Sequence, residues 1–270
     1  MNCYLRIDCI SPDVLDFIKE TTDIQGAILG DYTCNRRMFA GGYAGLIKNA
    51  GDFKLINKEI ILQTPLYMTS RKFEEIIDGI SFLHQEYGVK KFLVQDVGVL
   101  SMILKIIPDA ECIWSQMGRN RGNVLNMDSV MFLKDQGLTG MELCSGSRIS
   151  MLNACGMKAY ALYGSIRYMT ISRNCYNKCF HDRAICRIDC CNHSEVLTTE
   201  TGKTITVDGF FLGKNYFYDD SPAYWRSVVD HCENLIIQCE NLEETIYYYE
   251  TYKETMKIYE QDFCSNSSIK

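Results

Sequence analysis

The stretch EIILQTPLYMTSRKFEEIIDGISFLHQEYGVKKFLVQDVG, residues 59–98, sets two short apolar runs around one longer run of a different period. In SRKFEEIIDGISFLHQEYG (70–88) the apolar residues Phe73, Ile76, Ile77, Ile80 and Leu83 recur at three- and four-residue steps, the spacing that gathers side chains on one face of an α-helix. Gly88 follows where a helix commonly ends in a left-handed residue. The flanking EIILQTPLY (59–67) and KKFLVQDVG (90–98) are short and nearly continuous in apolar residues, as in strands buried on both faces. Strand, helix and strand in this order make a parallel crossover unit.

The same alternation extends both ways along the chain. Upstream, the strand-like CYLRID (3–8) precedes SPDVLDFIKETT (11–22), in which Ser11 can cap a helix and Pro12 sits in its first turn. GAILGD (26–31) then leads into a loop and a weaker helix. Downstream of 98 come a helix around 99–106, ECIWSQ (111–116), a helix over 125–136, GLTGMELC (137–144), a helix over 147–155 and KAYALYG (158–164). After a long interruption, ENLIIQC (233–239) reads as an eighth strand and NLEETIYYYETYKETMKIYEQ (241–261) as a closing helix, whose tyrosines fall at the spacing of a packing face with an exposed rim. Eight strands alternating with helices predict a (β/α)8 TIM-type barrel over 1–270, with an open doubly wound sheet as the competing arrangement. The interruption, 168–231, far exceeds a usual connection, and in a barrel it leaves from the carboxyl-end face where active sites are built.

Composition narrows the function. The chain is 47% hydrophobic and 23% charged, which suits a folded core and not a disordered tail. A net charge of -6 and a pI near 5.3 give no electrostatic reason to expect nucleic acid or an anionic membrane as partner. The start MNCYLRIDCISPDVLD has acids by its eighth residue, and no segment approaches the roughly 18 apolar residues of a membrane span. The expectation is a cytoplasmic protein with reduced thiols. Of its 14 cysteines, the ones standing singly in apolar runs (Cys3, Cys9, Cys112, Cys144, Cys155, Cys232 and Cys239) read as small buried hydrophobes.

The interruption is different. SRNCYNKCFHDRAICRIDCCNH (172–193) holds five cysteines and two histidines in a polar stretch with no core for them to fill. Cys175 and Cys179 form one C-x3-C pair, Cys186 and Cys190 another, and Cys191 adjoins the second. Cys34, just past the predicted second strand, is a further thiol on the same face. Such spacing suits a structural zinc site made from Cys175, Cys179, Cys186 and Cys190, and four thiolates equally suit an iron–sulfur cluster. His181 and His193 are weaker candidates beside so many thiols.

The order of motifs resembles the U32 peptidase-like (collagenase-like) family, and within it most closely the UbiV-type iron–sulfur proteins of oxygen-independent hydroxylation. Gly30, Cys34, Arg36 and Arg37 in GAILGDYTCNRR stand where that subgroup has a glycine, a cysteine and a basic pair. Val94, Asp96 and Gly98 match a V-x-D-x-G element. Ser115, Gln116 and Asn126 match a Ser/Thr-Gln followed by an asparagine, and Gly137 and Glu142 match a glycine and a strand-six glutamate. The resemblance implies a [4Fe-4S] cluster on Cys34, Cys175, Cys186 and Cys190, with zinc the alternative; Cys179 and Cys191 are additional to the pattern. It also implies a small-molecule or peptide substrate and a paralogue of the same family as partner in a heterodimer. A noncatalytic, metal-stabilised binding role and a peptidase are the other readings.

Around the predicted barrel mouth stand Asp31, Arg36, Arg37, Gln63, Asp96, Gln116, Arg119 and Glu142. Asp96, Glu142 and Gln116 are the catalytic candidates, the two carboxylates as proton acceptors. Arg36, Arg37 and Arg119 are the substrate-binding candidates, since paired arginines can hold a carboxylate bidentately. The sequence has no H-E-x-x-H and no G-x-S-x-G, and only four histidines, which weighs against proteolysis.

Overall fold

The structure is a computed structural model that describes residues 1–7, 10–30, 43–64, 70–115, 126–143, 148–167, 170–171, 195–208, 211–212, 215–217, 221–239 and 241–267. The first part of the chain alternates strictly: β1 (Asn2–Ile7), α1 (Pro12–Glu20), β2 (Ile24–Gly30), α2 (Tyr43–Leu55), β3 (Glu59–Gln63), α3 (Ser70–Tyr87), β4 (Lys91–Val94), α4 (Val97–Ile106), β5 (Glu111–Trp114), α5 (Met127–Asp135), β6 (Gly140–Leu143), α6 (Ile149–Ala154) and β7 (Lys158–Tyr163). Short strands follow: β8 (Ser165–Arg167), β9 (Thr170–Ile171), β10 (Glu195–Thr198), β11 (Thr204–Asp208), β12 (Phe211–Leu212) and β13 (Asn215–Phe217). The chain then returns through α7 (Pro222–His231) and β14 (Asn234–Cys239) to α8 (Leu242–Ser267).

Eight strands close in the order β1-β14-β7-β6-β5-β4-β3-β2, every neighbouring pair parallel. This is the (β/α)8 barrel, and closure of β1 onto β14, from Asn2 with Asn234 to Ile7 with Cys239, excludes the open sheet. Helix starts follow their sequence signals. Ser11 Oγ caps α1 at Val14 N, with Pro12 opening the helix, and Ser221 does the same for α7 at Tyr224 N ahead of Pro222. On α3, Ile76, Ile80 and Leu83 are buried, as their spacing predicts.

The period of two along each strand divides the apolar residues between two cores. Cys3, Leu5, Ala27, Leu29, Leu62, Phe92, Val94, Cys112, Met141 and Ala161 join the helices in the outer core. The residues between them, Tyr4, Ile28, Ile61, Leu93, Ile113, Tyr160, Leu162 and Ile236, are also buried but fill the barrel itself. Tyr4 and Tyr160 prove the point: their rings lie 6.4 Å apart, although β14 separates their strands. Cys3, Cys112, Cys155 and Cys232 are buried thiols. Burial pushes the Cys112 and Cys232 thiols up to about 12, so they behave as the small hydrophobes expected.

At the amino-terminal end of the barrel β3, β4, β5 and β7 begin with charged residues, Glu59, Lys91, Glu111 and Lys158. Glu59 accepts from Lys91 at 2.8 Å and from the Tyr4 hydroxyl at 2.7 Å. Glu111 accepts from Lys158 and from the Tyr160 hydroxyl, both at 2.9 Å. Burial, reinforced by Glu59, raises Tyr4 from 10.0 to about 12; Tyr160 is raised as well, by burial first and then by Glu111. Burial works against ionised Glu111, but the bonds from Lys158 and Tyr160 outweigh it and hold the carboxyl below 4.5. The linkage signs are opposite. Raised tyrosines favour the fold below their ordinary value and lose that contribution as pH climbs through the folded value; depressed Glu111 contributes above 4.5 and fades as pH falls below it. Thermal unfolding followed by circular dichroism is therefore expected to show a fall in midpoint between pH 10.0 and about 12. Tyr4→Phe should flatten that fall, and an unchanged alkaline slope in the variant would sink the assignment to this ring.

Between β7 and α7 the chain builds small antiparallel sheets, β10-β11-β12-β9 and β13-β8. The interruption expected over 168–231 thus contains strand ribbons and also ends in the barrel's own crossover helix, α7. That helix is anchored by Tyr224, which donates to Leu162 O at 3.1 Å, and by Trp225, which meets the Tyr163 ring at 4.9 Å and stacks on Tyr252. On α8, Tyr249 and Tyr252 are buried whereas Tyr247 is exposed, a packing face with a rim. Among the described residues no helix is long and apolar enough to cross a membrane.

Candidate functional site

The carboxyl halves of the strands carry polar side chains at interior positions where the period of two would otherwise place apolar ones. Arg6 on β1, Gln63 closing β3, Gln95 just past β4, Ser115 just past β5, Glu142 on β6 and Gln238 on β14 are all buried. Buried polar groups persist only where they find partners, and these find one another across the barrel. The Arg6 guanidinium is ion-paired with Glu142 through Nη2 and Oε1. The same Nη2 donates to Gln63 Oε1 at 3.0 Å, and Nη1 reaches Gln238 Oε1 at 3.4 Å. Glu142 Oε2 accepts the Ser115 hydroxyl at 2.7 Å, and the Gln95 amide donates to Ser115 Oγ at 3.4 Å. Gln63 turns its own amide to Thr64 O at 3.2 Å. A single bonded layer thus joins six strands.

The layer lies at the end of the barrel where this architecture does its chemistry. It sets a carboxylate, a hydroxyl, a guanidinium and three carboxamides in one buried layer, enough to bind and orient a polar group. Beside Gln63, with which it is paired, Gly30 ends β2 with φ of +105°. A Cβ there would stand 2.5 Å from Gln63 O, so only glycine lets the chain leave β2 toward Cys34 while staying against β3.

The sequence candidates fall into three groups. Glu142 is part of the layer. Asp96 stands apart from it: the side chain is exposed and Oδ1 accepts from Gly98 N at 2.7 Å and Val99 N at 3.1 Å, capping α4. A Cβ on Gly98 would sit 2.9 Å from that oxygen, which gives the D-x-G spacing a local structural meaning. Gln116, Arg119, Cys34, Arg36, Arg37, Asp31, Cys175, Cys179, Cys186, Cys190 and Cys191 lie outside the described residues. Among the described residues no group of three or more His, Cys, Asp or Glu could hold a metal.

With the barrel and its polar layer in view, the comparisons with known proteins bear on the whole chain. A family model described as Peptidase family U32 matches residues 21–193. The chain belongs to peptidase family U32. The matched range runs from just before β2 to the end of the cysteine-rich stretch, so in this U32 chain both Cys34 and the C-x3-C pairs fall inside the family region. No curated protein sequence matches the chain. Solved structures similar to it include a xylose isomerase domain protein from Planctomyces limnophilus, 7% identical over 97% of this chain and 96% of that one, at a TM-score of 0.49. A D-tagatose 3-epimerase-like protein is 12% identical over 97% and 90%, at 0.41. An orotidine 5'-monophosphate decarboxylase from Metallosphaera sedula is 14% identical over 60% and 77%, also at 0.41.

Arg6, Gln95 and Gln238 are the members of the U32 chain's layer that spacing along the sequence does not announce. Arg6 and Glu142 are 136 residues apart. The available signal is a charged or amide residue at an interior position of an otherwise apolar strand, as in YLRI and LIIQC.

Proposed function

We propose that the chain is a cytoplasmic iron–sulfur protein of family U32, of the UbiV type, that takes part in an oxygen-independent hydroxylation or related redox modification of a small aromatic or peptide substrate, paired with a U32 paralogue. The observation that carries this reading is the cysteine set Cys34, Cys175, Cys186 and Cys190 lying within the family match of residues 21–193. Four soft thiolates are the donor set that iron–sulfur clusters take, and that a structural zinc takes as well. A cluster there would supply electron transfer or Lewis acidity. The protein's own residues do the rest: the Arg6–Glu142–Ser115 layer orients a polar group of the substrate, Glu142 or Asp96 accepts a proton, and Gln116 is the third catalytic candidate. Arg36, Arg37 and Arg119 hold an acidic group of the substrate at the mouth.

The family description favours a second reading, a peptidase. The Ser115 hydroxyl on the Glu142 carboxylate is the pair such an activity would draw on.

The deciding experiment is the iron, sulfide and zinc content, with the visible spectrum, of protein purified without oxygen, for wild type and Cys34→Ser. About four irons and four sulfides per chain, weakened or lost in the variant, is the expected result for a [4Fe-4S] protein. Stoichiometric zinc without iron, indifferent to Cys34, would overturn the redox reading. Cleavage of denatured collagen or peptides by the metal-replete protein would establish the peptidase.

A further inference from the structure

We propose that the Nε–H of Arg6 is the binding group for an uncharged carbonyl oxygen of the substrate at the floor of the barrel mouth. The proposal deepens the reading of this layer as the substrate site and rests on it. Arg6 is 5% exposed, and its Nε has no hydrogen-bond partner among the described residues. Native interiors rarely leave a buried donor of a charged group unmet, because its desolvation is not recovered.

The way Glu142 binds explains why this donor remains. A guanidinium presents a fork, and a carboxylate commonly closes two of its prongs at once. Glu142 does not: Oε1 goes to Arg6 Nη2, and Oε2 turns to the Ser115 hydroxyl at 2.7 Å. Gln63 supplies a second acceptor to Nη2, and Gln238 supplies one to Nη1. Both terminal nitrogens are therefore met by the protein, and Nε is left. All of these partners come from the carboxyl halves of their strands, so a ligand oxygen entering from the mouth would complete the fork.

Charge selects the ligand. Glu142 already balances Arg6, so among the described residues a carboxylate or phosphate would set two anions against one buried cation. A carbonyl oxygen accepts the N–H and adds no charge. The carboxamides of Gln63, Gln95 and Gln238 round the same layer suit an uncharged polar partner. The group that reaches Arg6 is accordingly an amide, a cyclic amide or another uncharged carbonyl, whatever acidic group the substrate carries elsewhere.

The test uses three ring probes of one size, benzamide, benzoate and benzyl alcohol, titrated against the full metal-replete chain by ligand-observed NMR. The expected result is saturable benzamide binding in the range of about 1 mM, with benzoate and benzyl alcohol at least about tenfold weaker. Arg6→Lys keeps a cation beside Glu142 but has no Nε fork, and should lose benzamide at least about tenfold while its circular dichroism is unchanged. Should that variant fail to fold, Arg6→Met/Glu142→Met removes the pair together and should lose benzamide likewise. No saturable benzamide binding, tighter binding of benzoate, or equal benzamide binding after removal of Arg6 would each overturn the proposal. Metal content of the same samples keeps the two readings distinguishable: iron without benzamide binding removes this inference alone, whereas benzamide binding without iron removes the redox reading alone.

Discussion

Glu142→Ala is expected to destabilise the barrel by about 3–5 kcal/mol, the range found when one member of a buried ion pair is deleted. Glu142 is fully buried and Arg6 nearly so. Truncation strands a cation whose remaining partners are the amide oxygens of Gln63 and Gln238, and it also takes away the acceptor of the Ser115 hydroxyl. The cost is that of an uncompensated charge and is not the net worth of the pair. Arg6→Met/Glu142→Met should therefore lie much closer to wild type than either single change, because apolar pairs of similar volume often replace buried ion pairs without loss. Chemical unfolding of the three variants, followed by circular dichroism, checks this. A loss below about 1 kcal/mol in Glu142→Ala would mean that water reaches the layer and screens Arg6.

Gly26→Ala should be comparably damaging for a steric reason. A Cβ at Gly26 would lie 2.0 Å from Glu59 O and 2.7 Å from its carbonyl carbon. Those atoms are backbone, and Gly26 is paired with Glu59 in the β2–β3 ladder. No rotamer can relieve the clash, so the strands must part at a seam of a closed barrel. Overpacking of this kind costs about 3 kcal/mol or more. Gly51→Ala is the informative control. In α2 the added methyl meets Tyr87 Cε1 at an ordinary 3.6 Å, and alanine is the better helix former by about 1 kcal/mol. One substitution at two sites should shift the thermal midpoint in opposite directions. A Gly26→Ala variant that melts with wild type would show that β2 can slide along β3.

How far the sequence carried depends on whether a feature is local. The barrel was legible because each crossover unit declares itself within some forty residues, as 59–98 does. Boundaries were less so: KKFLVQDVG reads as one strand, yet β4 stops at Val94 because the Asp96 carboxylate satisfies the first amides of α4. The crossover helix α7 carries the same Ser-Pro opening as α1, but the dense cysteines before it drew the whole of 168–231 into one reading. In the site, Glu142 could be singled out as a lone acid in a strand. Its partner Arg6 could not, since a contact across a barrel leaves no spacing along the chain to read. Cys34 and the cysteines of 172–193 are the reverse case, conspicuous in sequence and lying beyond the described residues.

The seam between β1 and β14 also sets an order of events. Asn2 N bonds Glu233 O at 2.7 Å, and Arg6 meets Gln238 across 232 residues of chain. During synthesis β1 emerges before the other barrel strands, and its edge toward β14 is covered only when that last strand follows. Until then Cys3, Tyr4 and Leu5 have one unprotected flank, a template on which another nascent chain can pair. Such distant contacts make closure the slow step. The polar layer is completed by that same step, so the maturation of the site and the end of the chain's vulnerability to aggregation are one event.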